Sequence, residues 1–105
     1  VDQDGPKNIF SVTAAVAGER VTVVVTGEVD MSTAGQMIQT ATDAQTRAVT
    51  LDLHGVTFFD SAAIQAVIRL VERYDGGTLE VVPSAAVLRV LQISGLDAQP
   101  WLKRG

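Results

Sequence analysis

Two stretches rich in β-branched and apolar residues open the chain, Phe10 to Val16 and Arg20 to Thr26, separated by Ala17-Gly18-Glu19. A short glycine-containing gap between two such runs predicts an antiparallel hairpin. Val21, Val23, Val24 and Val25 leave the second run nearly without polar interruption, the pattern of a strand covered on both faces. After Gly27-Glu28-Val29-Asp30 the period changes. Ala34, Met37, Ile38 and Ala41 fall on one face of a helix that begins near Thr33, with Thr33 and Gln36 at capping-box spacing. Val49 to Leu53 then reads as a third strand, and Gly55 to Phe59 as the loop that leaves it.

A second helix is predicted over Ser61 to Tyr74, with Asp60 as its N-cap and Phe59 and Ile64 at the spacing of a hydrophobic staple. Ile64, Val67, Ile68 and Val71 form its apolar stripe, while Gln65, Arg69 and Arg73 point to solvent with Ala62 on their side. Gly76-Gly77 ends this helix, and Thr78 to Val82 gives a fourth strand. Pro83-Ser84 opens a third helix that runs to about Ser94, with Val87, Leu88 and Leu91 inward. Gly95 and Leu96 then stand where a Schellman motif places its glycine and its hydrophobic contact with Leu91. The order β-β-α-β-α-β-α predicts the α/β class: a mixed, mostly parallel sheet of four to five strands with helices packed against it. One domain is expected over residues 9–105, preceded by a flexible terminus at 1–8.

Composition narrows the function. The chain has 105 residues, 47% apolar and 19% charged, which suits a globular domain. Eight basic against twelve acidic residues give a net charge of −4, a field that disfavours direct nucleic-acid binding and adsorption to an anionic membrane. No apolar run approaches the roughly 20 residues of a membrane span, and Val1 to Pro6 does not read as a signal peptide, so a cytoplasmic location is expected. The absence of cysteine removes thiolate chemistry and leaves only oxygens and His54 as metal ligands; no cofactor is expected. Neither a nucleophile elbow nor a phosphate-binding loop occurs. The two lysines, Lys7 and Lys103, lie at the chain ends, where neither serves a phosphoaspartate receiver. With these motifs missing, an enzyme is not expected.

Three stretches carry a resemblance. Gly27-Glu28-Val29-Asp30 with Thr33-Ala34, then Leu51-Asp52-Leu53-His54-Gly55-Val56-Thr57-Phe58-Phe59-Asp60-Ser61, then Val87 through Leu96, are similar in order and spacing to the signature stretches of the STAS family, in particular to its anti-sigma factor antagonists. The resemblance implies a partner switch. The unphosphorylated form binds an anti-sigma factor that is also a serine kinase and so releases a sigma factor; the kinase phosphorylates the serine at the start of the second helix, and a serine phosphatase reverses this. Here that serine is Ser61. Family members commonly follow it with a second hydroxyl residue and a glycine, whereas Ala62 and Ala63 stand here. Alanine in place of glycine favours the helix by up to roughly 1 kcal/mol.

Around Ser61, the residues expected to meet a partner are Asp30, Thr33, Asp60, Ala62 and Gln65. Ser61 lies in a first helical turn, whose free N–H groups and dipole tolerate negative charge. Asp30 and Asp60 fall at one end of the sheet, with Asp60 also the cap; Thr33 is read first as an N-cap, and His54 as a polar loop residue. Two other readings remain open from the residues: a constitutive STAS subunit of a transporter ATPase complex, and a decoy that binds a kinase without being phosphorylated.

Overall fold

The computed structural model describes residues 9–74 and 76–103, so the expectation of a flexible 1–8 segment lies outside the described residues. The hairpin is β1 (Phe10–Ala17) and β2 (Arg20–Val29), joined at Gly18-Glu19. Then follow α1 (Ala34–Asp43), β3 (Ala48–Phe59), α2 (Ser61–Arg73), β4 (Leu79–Pro83) and α3 (Ala85–Ile93). The class and element order match the sequence reading. The sheet runs β1-β2-β3-β4, antiparallel between β1 and β2 and parallel across the other two pairs.

One face of the sheet carries the core. Val21, Val23 and Val25 of β2 lie beside Val49, Leu51 and Leu53 of β3, all fully buried. Met37 and Ala41 of α1, Ala63, Val67 and Leu70 of α2, and Val87 and Leu91 of α3 close over them in a single cluster. The expectation that β2 is covered on both faces is therefore corrected. Arg20, Thr22, Val24 and Thr26 alternate with the buried valines and are only half-buried. Val24 sits on this open face between Thr13 and Asp52. Its β-branched side chain suits a strand on either face, and so the valine run did not report burial.

The predicted loop Gly55–Phe59 is strand. β2 continues to Val29 and offers β3 a parallel partner for the whole of that length: Thr26 pairs with Gly55, Gly27 with Val56, Glu28 with Phe58 and Val29 with Phe59. Register shifts between Val24 and Thr26 and between Gly27 and Glu28 absorb the irregularity. Two glycines permit it. A Cβ on Gly55 would stand 2.9 Å from the Thr26 methyl carbon, and one on Gly27, at φ +91, would stand 1.4 Å from the backbone oxygen of Ile9.

The buried stripe of α2 is also turned from its expected place: Ala63, Ala66, Val67 and Leu70 are buried, whereas Ile64, Ile68 and Val71 are half-buried at its margin. Small alanines lie innermost because they let the helix axis approach the sheet, and the larger side chains fill the flanks. Gln65, Arg69 and Arg73 are exposed as expected. α3 ends in the predicted Schellman motif, with Leu96 N–H donating to Leu91 O at 2.7 Å and Gly95 N–H to Gln92 O at 3.1 Å. The sequence reading assigned nothing to the residues after Leu96. There the chain returns along β4: Val81 N–H donates to Trp101 O and Lys103 N–H to Val81 O, both at 2.8 Å, and Trp101 and Leu102 are buried.

Gly27→Ala should lower stability by at least about 2 kcal/mol, the left-handed backbone and the collision with Ile9 acting together. Gly35→Ala, inside α1 with open space where its Cβ would go, should raise stability by up to about 1 kcal/mol. Urea unfolding midpoints of the two variants measure the contrast.

Candidate functional site

The paired strand ends Val29 and Phe59 deliver Asp30 and Asp60 side by side. Asp60 N–H donates to Val29 O at 3.3 Å, fastening the start of α2 to the end of β2. Asp60 is the N-cap foreseen from the sequence: its Oδ1 accepts from Ala63 N–H at 3.0 Å, and its carbonyl accepts from Ile64 N–H at 3.0 Å. Ser61 follows as the first helical residue, exposed, and among the described residues nothing hydrogen-bonds its hydroxyl. The N–H groups of Ser61 and Ala62 also point out of the helix start without an acceptor among the described residues. Behind them, Ala63 is fully buried and packs into the core.

On the neighbouring strand end, the Asp30 carboxylate is occupied by its own loop. Its Oδ1 accepts from Ser32 N–H at 2.9 Å and from Ser32 Oγ at 2.6 Å. Thr33 departs from the expected capping box: its side chain makes no cap bond to the helix and turns back to the strand end. The Thr33 hydroxyl accepts from Asp30 N–H at 2.9 Å and donates to Glu28 O at 3.0 Å. With these partners met locally, Thr33 holds the β2–α1 loop in shape, and Asp30 makes no hydrogen bond to Ser61. The Ser32 side-chain and backbone hydrogen bonds hold the Asp30 carboxyl below the usual aspartate range.

Between α1 and α2 runs a shallow cleft of about 260 Å³, lined by Met31, Ala34, Gly35 and Ile38 on one side and Ala62, Gln65, Ala66 and Arg69 on the other. Ala62 lies on the side of Gln65 and Arg69, as expected, and is half-buried at the rim of this cleft. Sequence reasoning passed over Met31, which is 84% exposed, and Phe58, which is 49% exposed. The available signal for Met31 was a large apolar residue set in a polar Asp-Met-Ser turn. A larger cavity, of about 380 Å³, lies among Tyr74, Leu79, Trp101 and Lys103, at the end of α2 remote from Ser61.

His54 belongs to β3 and not to a loop, and its Nδ1 lies 2.9 Å from Asp52 Oδ1 on the open face of the sheet. Paired there, it is no base for Ser61. Burial pushes the Asp52 carboxyl up, but the side-chain and backbone hydrogen bonds with His54 outweigh it and leave the group below its usual range. Among the described residues no cluster of histidine, aspartate and glutamate is arranged to hold a metal ion.

The depressed Asp30 pKa sets a direction for pH dependence. Its contribution to loop order is complete above the ordinary aspartate range and is lost as pH falls through the lowered value. Ser32→Ala should therefore move the Asp30 titration, followed by carboxyl NMR shifts, upward toward that of an ordinary aspartate; an unmoved midpoint would remove Ser32 as the cause.

The architecture and the three signature stretches have counterparts among known proteins. A family model described as Mlab, STAS domain matches residues 12–103. Among solved structures, an anti-sigma factor antagonist from Mycobacterium paratuberculosis superposes with a TM-score of 0.80 at 25% identity, over 95% of this chain and 90% of that one. The anti-sigma factor antagonist SpoIIAA in its unphosphorylated form gives a TM-score of 0.70 at 23% identity, over 92% of this chain and 88% of that one. The Bacillus cell fate determinant SpoIIAA in its phosphorylated form gives 0.63 at 23% identity, over 92% of this chain and 91% of that one. No curated protein matches the chain. With a family model covering nearly all of the described fold and the element order it requires in place, the chain belongs to the STAS domain family.

Proposed function

We propose that this chain is an anti-sigma factor antagonist whose unphosphorylated form binds an anti-sigma factor serine kinase, releases a sigma factor, and is switched off by phosphorylation of Ser61. A serine phosphatase acting on the phosphorylated form restores binding. The observation that carries this reading is the state of Ser61: exposed, its hydroxyl without a partner among the described residues, on a helix start that has open N–H groups. A hydroxyl placed there is available to a kinase. The phosphate it would receive adds about −1.5 to −2 charges at a helix end that favours anions, so the fold survives while the surface changes sign and bulk.

The docking surface in this reading is the α2 start with the β2–α1 loop: Asp30, Thr33, Asp60, Ala62 and Gln65, joined by the exposed Met31. It offers a small, shallow cleft of mixed polar and apolar lining, with Gln65 and Arg69 beside Met31, Ala34 and Ala62. SpoIIAA, of the same fold, supports a two-state reading, since it is described in both an unphosphorylated and a phosphorylated form. Among the described residues no helix is long and apolar enough to cross a membrane. The reading carries with it a cytoplasmic site of action, in which residues 9–105 work as one domain.

The test uses the anti-sigma factor kinase encoded in the same genome. Ser61→Asp should keep the wild-type melting temperature while weakening kinase binding at least tenfold, about 1.4 kcal/mol. Ser61→Ala should bind as wild type does and take up no phosphate by intact-mass analysis. Phosphate on another residue, or binding lost only because Ser61→Asp unfolds, would overturn the assignment. Ala62→Glu puts a charge at the cleft rim and should cost several kcal/mol of binding by calorimetry but no more than about 1 kcal/mol of stability.

A further inference from the structure

The two edges of the sheet are finished differently. Along β4 the chain's own C-terminal segment supplies partners, through the hydrogen bonds of Val81 with Trp101 and Lys103. Along β1 no described segment pairs with the outer edge. The register of the hairpin shows which groups are left over. Glu28 N–H donates to Ile9 O, so the odd-numbered residues of β1 exchange hydrogen bonds with β2. Phe10, Val12, Ala14 and Val16 then turn their N–H and C=O groups outward. Exposed edges are normally blunted by lysine, proline, bulges or shortness. β1, Phe-Ser-Val-Thr-Ala-Ala-Val-Ala, is eight residues long, has no charge and no proline, and pairs with β2 without a register shift.

We propose that β1 is the dimerisation edge of this protein, pairing antiparallel with β1 of a second copy about a two-fold axis at Thr13. A second copy fits for three reasons. The strand is neutral in a chain of net charge −4, so this is a place where two copies meet without setting like charges opposite each other. An axis at Thr13 pairs every outward-facing residue, Phe10 with Val16 and Val12 with Ala14, whereas moving it by one residue leaves some unpaired. Burial along the strand is also uneven in a complementary way. Phe10 and Val12 are half-buried against the core, but Ala14 is exposed and Val16 is 59% exposed on the same face. The antiparallel arrangement lays the covered end of one strand beside the bare end of the other, and the isologous contact closes on itself. Because the edge lies two strands away from β3 and the α2 start, the pairing is independent of the Ser61 switch.

Sedimentation of the full chain tests this, at loadings up to about 1 mM because a strand pair buries less than the roughly 1,200 Å² of a standard interface. Wild type should shift from monomer to dimer as concentration rises. Ala14→Pro removes an outward N–H, which an edge strand tolerates, and should stay monomeric with an unchanged melting temperature. Thr13→Cys, in a chain with no other cysteine, should form an intermolecular disulfide readily, because residues facing across the axis lie about 4.5 Å apart at Cα. Ala15→Cys should not, its two copies being about 13 Å apart in this register. A wild type that remains monomeric throughout overturns the proposal and leaves the edge to an extended segment of another protein. A folded Ala14→Pro that still dimerises, or cross-linking of Ala15→Cys as fast as Thr13→Cys, overturns it as well. Should Ala14→Pro fail to fold, the cysteine pair decides alone.

Discussion

The parallel pairing of β2 with β3, carried past an irregular register to their last residues, is the constraint on which the rest of the molecule depends. The Val21–Val25 and Val49–Leu53 stretches bury completely on one face and set the two strands against each other. Beyond them Val29, Val56 and Phe59 are buried too, and pairing continues through Gly27 and Gly55 to the strand ends, because those glycines allow the backbones to approach where a Cβ would collide. If the strands separated earlier, Asp30 and Asp60 would leave the sheet at different heights. The start of α2 would then lose its hydrogen bond to the Val29 carbonyl.

From that fixed point the site follows by short-range interactions. Asp60 satisfies one N–H of the helix start and leaves those of Ser61 and Ala62 open, while the burial of Ala63 anchors the first turn from beneath. Across the cleft, Ser32 and Thr33 meet the hydrogen-bonding needs of Asp30 within the loop. A hydrogen-bonded loop and a capped helix therefore face each other across a small cleft of mixed lining. In the proposed function, a surface built this way responds to an added charge at Ser61 by electrostatics and steric fit, without any need for the core to rearrange. The open face of the sheet, with the Asp52–His54 pair and the Arg20–Thr50 hydrogen bond, is separate from this arrangement.

Elements whose ends are marked by local chemistry were legible. Asp60 accepts the N-cap bond that its position announces, and Gly95-Leu96 closes α3 as the spacing implies. Such caps involve residues a few positions apart, and their energetics are nearly complete without the rest of the fold. The placing of Ser61 at the start of α2 was likewise legible, because a strand end and the helix that immediately follows it lie within a few residues. By contrast, the capping box at Thr33 lost to another local contact, since the Asp30 N–H at the end of β2 donates to the hydroxyl oxygen that would have accepted from the helix.

By itself the amino-acid sequence determined the α/β class, the order of the elements, the Asp60 N-cap bond and the placing of Ser61 on a first helical turn, since each rests on period, propensity or contacts within a few residues. Tertiary structure alone decided the strand character of Gly55–Phe59, the single covered face of β2, the rotation of α2 onto Ala63, Ala66 and Val67, the cleft that brings Met31 to Ala62, and the return of Trp101 and Leu102 to β4. The physical reason is common to all of these. Burial and pairing are properties of a partner surface, and a valine run or an alanine-rich helix presents the same sequence whichever face the partner covers.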